Sequence, residues 1–253
     1  MPVRPAPGLV YRATIRLIDI AVAGAVLLLS IPILGVIAAI VRLDSPGPAL
    51  FGHQRAGLDR RRNASGTAPG PERRQVEAHG RPFTCYKFRT MYTDARERFP
   101  ELYAYRYTEE EMRTLPIKIL VGTKRDPAEF DGPIELGSGG PEDPRITRAG
   151  RWLRRSSLDE LPNLWNVLIG DMHLVGPRPD MEENIRYYAS REMCKFHVKH
   201  GVTGLAQIRG RGNLSFRQTN ELDVEYVETH SLLLDLKILI QTPLALLTRD
   251  GAA

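Results

Sequence analysis

The sequence predicts an α+β, mainly helical protein whose N-terminal part is embedded in a membrane. Three observations support this class. Residues 17–41 are almost entirely apolar, residues 83–91 (FTCYKFRTM) alternate and contain aromatic side chains as a strand does, and apolar residues recur at helical spacing around Pro162. We therefore expect a membrane-embedded region over residues 1–45 and a second domain over residues 46–253.

The composition restricts the classes of partner without choosing one. The 253 residues include 35 Lys and Arg against 30 Asp and Glu, which gives a net charge of +5. This basic balance favours anionic partners, namely phospholipid surfaces, nucleotides, phosphorylated lipids or nucleic acid. The two cysteines are Cys85 and Cys194, and no C-x-x-C spacing occurs. The sequence therefore supports neither a disulfide framework nor a structural zinc site.

The apolar run over residues 17–41 contains one charge, Asp19. At about 1.5 Å per helical residue the run is long enough for a hydrocarbon core of roughly 30 Å. Pro32 removes a backbone hydrogen bond near its middle, and the Ser30 hydroxyl is expected to help satisfy the freed carbonyl. Arginines flank both ends, so the positive-inside rule gives little orientation. The run exceeds the apolar core of a usual signal peptide, and these residues leave a straight span and a re-entrant helix-break-helix equally open.

The chain between the membrane segment and its centre contains a turn, a loop and a helix. Residues 45–48 (SPGP) read as a rigid turn, and the Arg-, Gly- and Pro-rich stretch 61–74 predicts a surface loop. A polar helix is expected over residues 94–112. The amphipathic helix after Pro162 should end at Gly170, which suits a C-terminal cap.

The C-terminal part contributes one more helix and two histidines without an assigned role. Residues 231–247 are apolar but interrupted by Asp235 and Lys237, which predicts a helix either in the core or at the membrane interface. His197 and His200 could meet on a helix face, but no third metal ligand is evident. We interpret them as core or solvated histidines.

The densest motif block spans residues 143–180, where five arginines precede Asp159 and Glu160 and a sixth follows between two prolines. One interpretation is structural: a solvated basic face with Ser157-x-x-Glu160 as a helix capping box, although Pro162 falls awkwardly inside such a helix. The other interpretation is catalytic. A carboxylate attacks phosphorus only when the charge of a diphosphate is neutralised, which arginine and Mg²⁺ can both do. Asp159 would then be the nucleophile or a metal ligand, with Glu160 assisting.

The chain resembles the bacterial sugar transferases, the monotopic phosphoglycosyl transferases that begin glycan assembly on polyprenyl phosphate. With the membrane segment, the matching segments follow the family's order through most of the chain: DSPGPALFGHQRAG, YKFRTM, residues 143–180, GVTGLAQIRGR and LDVEYVETHSLLLDLKILIQT. The resemblance implies transfer of a sugar-1-phosphate from a UDP-sugar to polyprenyl (undecaprenyl) phosphate, with release of UMP. It further implies that Asp159 forms a covalent phosphosugar intermediate, that Glu160 completes the dyad, and that Mg²⁺ is required, with Asp159 as its ligand.

The resemblance also implies a set of phosphate-holding side chains and a cellular location. It places a re-entrant helix around Pro32 and the catalytic domain on the cytoplasmic side of the bacterial inner membrane, with membrane lipids as partners. It allows a homodimer and gives no reason to expect a nucleic-acid partner. The basic positions expected to hold phosphates are Lys87, Arg89, Arg145 and Arg178.

The sequence departs from the family pattern in three places. Ile31 separates Ser30 from Pro32, where members often place Ser next to Pro, and the stretches 62–80 and 96–140 look longer than in minimal members. Neither the sugar nor the glycan pathway follows from the sequence. Two alternatives differ in class. A membrane-tethered, non-catalytic scaffold of envelope polysaccharide assembly conflicts with the intact Asp-Glu pair, and a nucleic-acid-binding protein lacks any recognised motif.

Overall fold

The computed structural model describes residues 8–58, 80–100, 103, 108–117 and 143–247. The predicted loop over residues 61–74 lies outside these ranges, as does most of the 96–140 stretch. The described elements are mostly helical, with two small sheets, as the sequence predicts. The bounds of the first ten helices and strands are α1 Leu9–Asp44, β1 Leu50–Gly57, β2 Gly80–Phe88, α2 Ala95–Arg98, α3 Glu109–Thr114, α4 Arg148–Ser156, α5 Asn163–Ile169, β3 His173–Val175, β4 Gly201–Thr203 and α6 Leu205–Arg209.

Two longer helices complete the fold. These are α7, Phe216–Thr229, and α8, Leu232–Leu247. Short 3₁₀ turns connect several elements: Leu158–Glu160, Glu182–Tyr187, Glu192–His197 and Arg211–Asn213.

Helix α1 is described as one continuous helix that contains Pro32. It is long and apolar enough to cross a membrane by length and composition, with a mean hydropathy of 2.7 in its most apolar window. The Ser30 hydroxyl donates to the carbonyls of Val26 (2.6 Å) and Leu27 (3.2 Å). The expectation that it serves the carbonyl freed by Pro32, which is that of Leu28, is therefore wrong. The re-entrant break is not seen as an interruption of the helix and stays a prediction.

One face of α1 packs on the rest of the protein while most of its apolar side chains stay exposed. Arg16 donates to the carbonyls of Val167 (2.6 Å) and Leu168 (2.5 Å) near the end of α5. These carbonyls carry the partial negative charge of a helix C-terminus, which favours a cation there. The buried residues recur every four or seven positions and form one stripe: Ile15, Asp19, Ala23, Ser30, Ile37 and Val41.

Both sheets are two-stranded. Strands β1 and β2 pair antiparallel with Leu50 opposite Phe88, and the register shifts between Arg55 and Gly57. Strands β3 and β4 pair in parallel. The aromatic segment FTCYKFRTM lies mainly in β2, so the predicted strand is confirmed.

The main hydrophobic core joins the apolar helix α1 to the elements of the second domain. Its buried members come from α1, β2, α5, β3, α6, α7 and α8, so α1 is part of the core and not only a tether. They are Ala23, Cys85, Leu164, Val167, Met172, Leu174, Val175, Leu205, Tyr226 and Ile238.

The predicted helices are found with one clear difference. Helix α5 ends at Gly170, whose left-handed φ of 91° makes the expected C-terminal cap. The polar helix expected over residues 94–112 is not continuous, because α2 ends at Arg98. Phe99 precedes Pro100, and the proline ring disfavours helical geometry in the residue before it. A new helix, α3, starts after the Thr108 cap.

Helix α8 has a core face and an exposed apolar face. Asp235 and Ile238 are buried, whereas Leu233 and Ile240 are each 78% exposed and Leu244 is 63% exposed. The helix therefore belongs to the core along one side. Its contact with a membrane interface stays a prediction.

Candidate active site

A sharp reversal after α4 places Asp159 and Glu160. Helix α4 ends at Ser156, and Ser157 follows with φ 57°, a left-handed conformation that costs energy for a residue other than glycine. The 3₁₀ turn Leu158–Glu160 comes next. The Ser157 side chain makes no capping hydrogen bond to this turn. The capping-box interpretation is therefore wrong, because Ser157 ends one helix instead of starting another.

Glu160 is held by two cations from different elements. Lys87, on β2, donates to Oε1 of Glu160 at 2.7 Å. Arg178 donates to both carboxylate oxygens, through Nη2 to Oε1 and through Nη1 to Oε2 at 3.3 Å. Burial alone would raise the pKa of Glu160, but Arg178 and Lys87 together hold it well below its usual value. Glu160 is therefore a stable anion that orients the two cations.

Asp159 has the opposite environment. It is 8% exposed, and no hydrogen bond to its carboxylate is found among the described residues. Burial, followed by the charge of Glu160, raises the pKa of Asp159 to about 6, against the opposing effect of Lys87 and Arg154. Neighbouring carboxylates with pKa values pushed apart suit different chemical roles. The oxygen lone pairs of Asp159 are therefore available to form a bond, whereas those of Glu160 already accept hydrogen bonds from Lys87 and Arg178.

A further cation lies beside Asp159. The Arg154 Nε donates to Thr90 Oγ1 at 3.0 Å. Burial lowers the pKa of Arg154, and the charge of Asp159 partly restores it. Arg154 belongs to the arginine cluster of residues 143–180, but the sequence pattern predicts no individual role for it.

The structure holds Arg89 and Arg145 in other contacts. Arg89 donates to the carbonyls of Pro48 and Ser45, both at 2.7 Å, and thereby fixes the turn after α1. Arg145 makes a buried, bidentate ion pair with Asp143, in which Nη2 lies 2.6 Å from Oδ2. The structure thus brings Lys87 and Arg178 onto the Asp-Glu pair. The phosphate-holding role of Arg89 and Arg145 stays a prediction.

A small polar cavity opens beside Glu160. Its charged side chains are three cations and one carboxylate, so the lining carries a net positive charge suited to an anion. The Cys85 thiol also faces it and donates to Asn163 Oδ1 at 2.8 Å. The lining residues are Arg55, Cys85, Lys87, Glu160, Asn163, Met172, Arg178, Pro179, Gly201 and Val202.

Comparisons with known proteins identify the family of this chain. A family model described as bacterial sugar transferase matches residues 10–65 and 67–249. The chain belongs to the bacterial sugar transferase family. It is 34% identical to the UDP-glucose:undecaprenyl-phosphate glucose-1-phosphate transferase of Caulobacter vibrioides over 99% of this chain and 76% of that protein.

Two further relatives differ in length from this chain. The chain is 36% identical to a UDP-galactose-lipid carrier transferase of Erwinia amylovora, over 94% of this chain but only 41% of that protein. It is 31% identical to an exopolysaccharide production protein of Rhizobium meliloti, over 98% of this chain and 91% of that protein. The chain therefore spans less than half of one of these relatives and most of the other two.

Sequence reasoning missed a buried charge network behind the cavity. The Asp180 carboxylate accepts hydrogen bonds from Asn184 Nδ2 (2.6 Å), Tyr188 OH (2.7 Å) and its neighbour's backbone amide. Lys195 pairs with Asp223 at 2.8 Å, and both are buried. Nothing in the local sequence marks Lys195, because its partner lies 28 residues away. Asp180 closes the motif block and could have been found there.

Within the described part of the chain, no three His, Cys, Asp or Glu side chains are grouped so that they could hold a metal ion. His200 is buried against Phe83 and Phe196. Burial lowers its pKa to about 3, so the ring is neutral. The interpretation of His200 as a core residue is confirmed.

The fit of the family's Mg²⁺ therefore depends on the acidic pair. Mg²⁺ in phosphate-transferring enzymes is often held by one or two carboxylates, with water and substrate phosphates completing the shell. The Asp159 carboxylate suits this arrangement, because no described side chain donates a hydrogen bond to it. Glu160 suits it less well, since Lys87 and Arg178 already contact its oxygens.

Proposed function

We propose that this transferase moves a sugar-1-phosphate from a UDP-sugar to undecaprenyl phosphate through a covalent intermediate on Asp159. One observation carries the proposal: Asp159 is a buried carboxylate to which no described residue donates a hydrogen bond. It lies next to Glu160, which Lys87 and Arg178 both contact. The names of the relatives support the donor and acceptor classes. The product would be the first lipid-linked intermediate of a glycan.

The proposed reaction has two displacements at one phosphorus atom. In the first, an Asp159 oxygen attacks the phosphorus that bears the sugar, and the bond to the UMP oxygen breaks with its electron pair leaving on UMP. In the second, an oxygen of the lipid phosphate attacks the same phosphorus and displaces the Asp159 carboxylate. A covalent intermediate lets one anion pocket serve both substrates in turn.

The cations and Glu160 act by position and charge. Lys87 and Arg178 already point into the cavity because Glu160 holds them there, so little reorganisation is needed when a diphosphate binds. Arg178 offers a planar, forked donor set that matches phosphate oxygens. Bound Mg²⁺ would add further neutralisation of the diphosphate. Glu160 itself is a poor nucleophile for two reasons. Its low pKa makes the carboxylate weakly basic, and its hydrogen bonds to Lys87 and Arg178 occupy the oxygen lone pairs.

Asp159→Asn tests the nucleophile. The amide keeps the shape of the side chain but should abolish both UMP release and covalent labelling by a sugar-labelled donor. The assay uses membranes or detergent-purified protein and a panel of UDP-sugars that covers glucose, galactose and N-acetylated sugars. Asp171→Asn is the control, since Asp171 is an exposed carboxylate at the end of α5.

The outcomes separate the enzyme from a scaffold. Release of UMP by the wild type and by Asp171→Asn, with none from Asp159→Asn, supports the proposal. Normal turnover by Asp159→Asn would remove the covalent mechanism. If the wild type released no UMP from any UDP-sugar of the panel, the membrane-tethered scaffold would be favoured.

We place the protein in the bacterial inner membrane with the site on the cytoplasmic side. The exposed apolar surface of α1 supports membrane insertion, and the nucleotide donor is made in the cytoplasm while the lipid carrier stays in the bilayer. Cysteines introduced one at a time at residues 9 and 43, in a Cys194→Ser background that retains the buried Cys85, report the topology against the labelling of the background protein alone. Labelling of both from the same side indicates the re-entrant form, and labelling from opposite sides indicates a span.

A further inference from the structure

Arg55 lines the cavity beside Glu160, and neither the family pattern nor the spacing of the motif block assigned it a role. It lies on β1, opposite Phe83 of β2, directly before the point where the register of the two strands shifts. An irregularity of this kind turns a strand and re-aims its side chains. Arg55 shares the cavity wall with Lys87 and Arg178.

The guanidinium of Arg55 is incompletely paired among the described residues. Its Nε is buried and has no hydrogen-bond partner. Its ion-pair partner is Asp180, whose Oδ1 lies 4.0 Å from Nη1, beyond hydrogen-bond distance. Burial lowers the pKa of Arg55, and Asp180 only partly offsets this effect. A buried donor without an acceptor costs free energy unless a ligand supplies one.

Asp180 cannot compensate fully, because other donors already engage it. Its carboxylate accepts from Asn184 and Tyr188 and from the amide of Met181. The Asp180 carbonyl also accepts from the Ala56 amide at 3.0 Å, which fixes the strand that carries Arg55. The backbone is thus anchored while the guanidinium keeps donor capacity for the cavity.

We propose that Arg55 is a substrate-binding residue that donates to phosphate oxygens in the cavity, alongside Lys87 and Arg178. The ligand class is a phosphate group carrying at least one negative charge. The phosphate belongs either to the diphosphate of the donor or to the lipid acceptor. Naming these two sources rests on the proposed function. Inorganic pyrophosphate tests the shared chemistry without either substrate.

The first measurement is pyrophosphate binding to the full-length protein in detergent, by calorimetry. Arg55→Gln should weaken binding about tenfold or more, the range for loss of a hydrogen bond to a charged group. Arg191→Gln is the matched control, because it removes an equal charge from an exposed pair with Glu228. Equal affinity of Arg55→Gln and Arg191→Gln, or no binding by the wild type, would overturn the proposal.

The second measurement identifies the source of the phosphate. Without acceptor each enzyme releases UMP once, and the dependence of this single-turnover rate on donor concentration gives the half-saturating donor concentration. Discharge of the phosphosugar-loaded enzyme, followed at different undecaprenyl phosphate concentrations, gives the corresponding value for the acceptor. A rise for the donor assigns Arg55 to the diphosphate, and a rise for the acceptor assigns it to the lipid phosphate. Unchanged values for both would contradict a substrate-binding role.

A structural role and a failure of the proposed function each have a distinct signature. If Arg55 only stabilised the fold, Arg55→Gln would lower Tm without weakening pyrophosphate binding; we expect Tm to stay the same or rise, since an unpaired buried donor is removed. If that variant does not fold, Arg55→Lys is used, which keeps the charge but lacks the fork. If Arg55→Lys bound pyrophosphate as tightly as the wild type, the two-donor contact of the guanidinium with phosphate would be refuted. The wild type could bind pyrophosphate, and Arg55→Gln could lose this binding, while the wild type is inactive on every donor. That result would support phosphate binding by Arg55 and refute the transferase reaction.

Discussion

Asp19 is the only charge in the apolar run, and its replacement gives a sharp test of how α1 packs. The side chain is 1% exposed. It accepts from the Leu174 amide at 2.9 Å and bonds His173 Nδ1 at 2.5 Å. These bonds tie α1 to β3, whose last residue, Val175, lies three positions before Arg178. Asp19→Ala would leave both groups without this acceptor.

The size of the effect follows from these two hydrogen bonds. The buried Leu174 amide, left without a partner, costs about 1–3 kcal/mol. The His173 side chain is 25% exposed and can bond water instead, so it loses only the net value of a hydrogen bond, about 0.5–1.5 kcal/mol. The total loss is therefore about 1.5–4.5 kcal/mol; for a protein of this size each kcal/mol shifts Tm by about 2–4 °C, and we expect a fall of about 3–18 °C.

Thermal unfolding in detergent measures the change. Ile20→Ala is the control, because Ile20 neighbours Asp19 but is 46% exposed; it should shift Tm only slightly. If Asp19 instead faced lipid, alanine would make the helix more apolar and raise stability. A Tm that is unchanged or raised in Asp19→Ala would therefore refute the docking of α1 through Asp19.

Two further predictions concern charged groups near the site. In metal-free protein, Asp159→Asn should raise Tm at pH 8, because the raised pKa of about 6 means that the folded state disfavours the ionised carboxylate. This gain should shrink as pH falls through 6 and disappear below the ordinary value of 3.8, where the wild type is protonated in both states; a gain that is equal at pH 8 and pH 3.5 would contradict the shift. Asp143→Leu should destabilise the protein by about 3–5 kcal/mol, since it leaves Arg145 buried without its ion-pair partner. The double variant with Arg145→Met should lose less in a urea titration, and an equal or larger loss would argue against the pair as the cause.

The sequence could predict the elements whose signal is local. The alternating segment around Cys85 is a strand, and Gly170 ends a helix, because periodicity and turn chemistry act over a few residues. The polar helix that the sequence predicts after Asp94 is too long. Pro100 disfavours helical geometry at Phe99, and the helix ends at Arg98. Ser157 was interpreted as a possible helix start because the capping pattern is also local, and only the chain reversal after α4 decides otherwise.

Local patterns in the sequence predict the long apolar N-terminal helix, the mainly helical α+β class and an acidic pair among arginines. Which arginines face that pair follows only from the fold. Arg178 contacts Glu160, while Arg145 is buried on Asp143 and Arg89 fixes the turn after α1. Arginines look alike in sequence, but a guanidinium takes the acceptors that the fold places within its reach. That placement depends on contacts between residues distant in the chain, which no local pattern encodes.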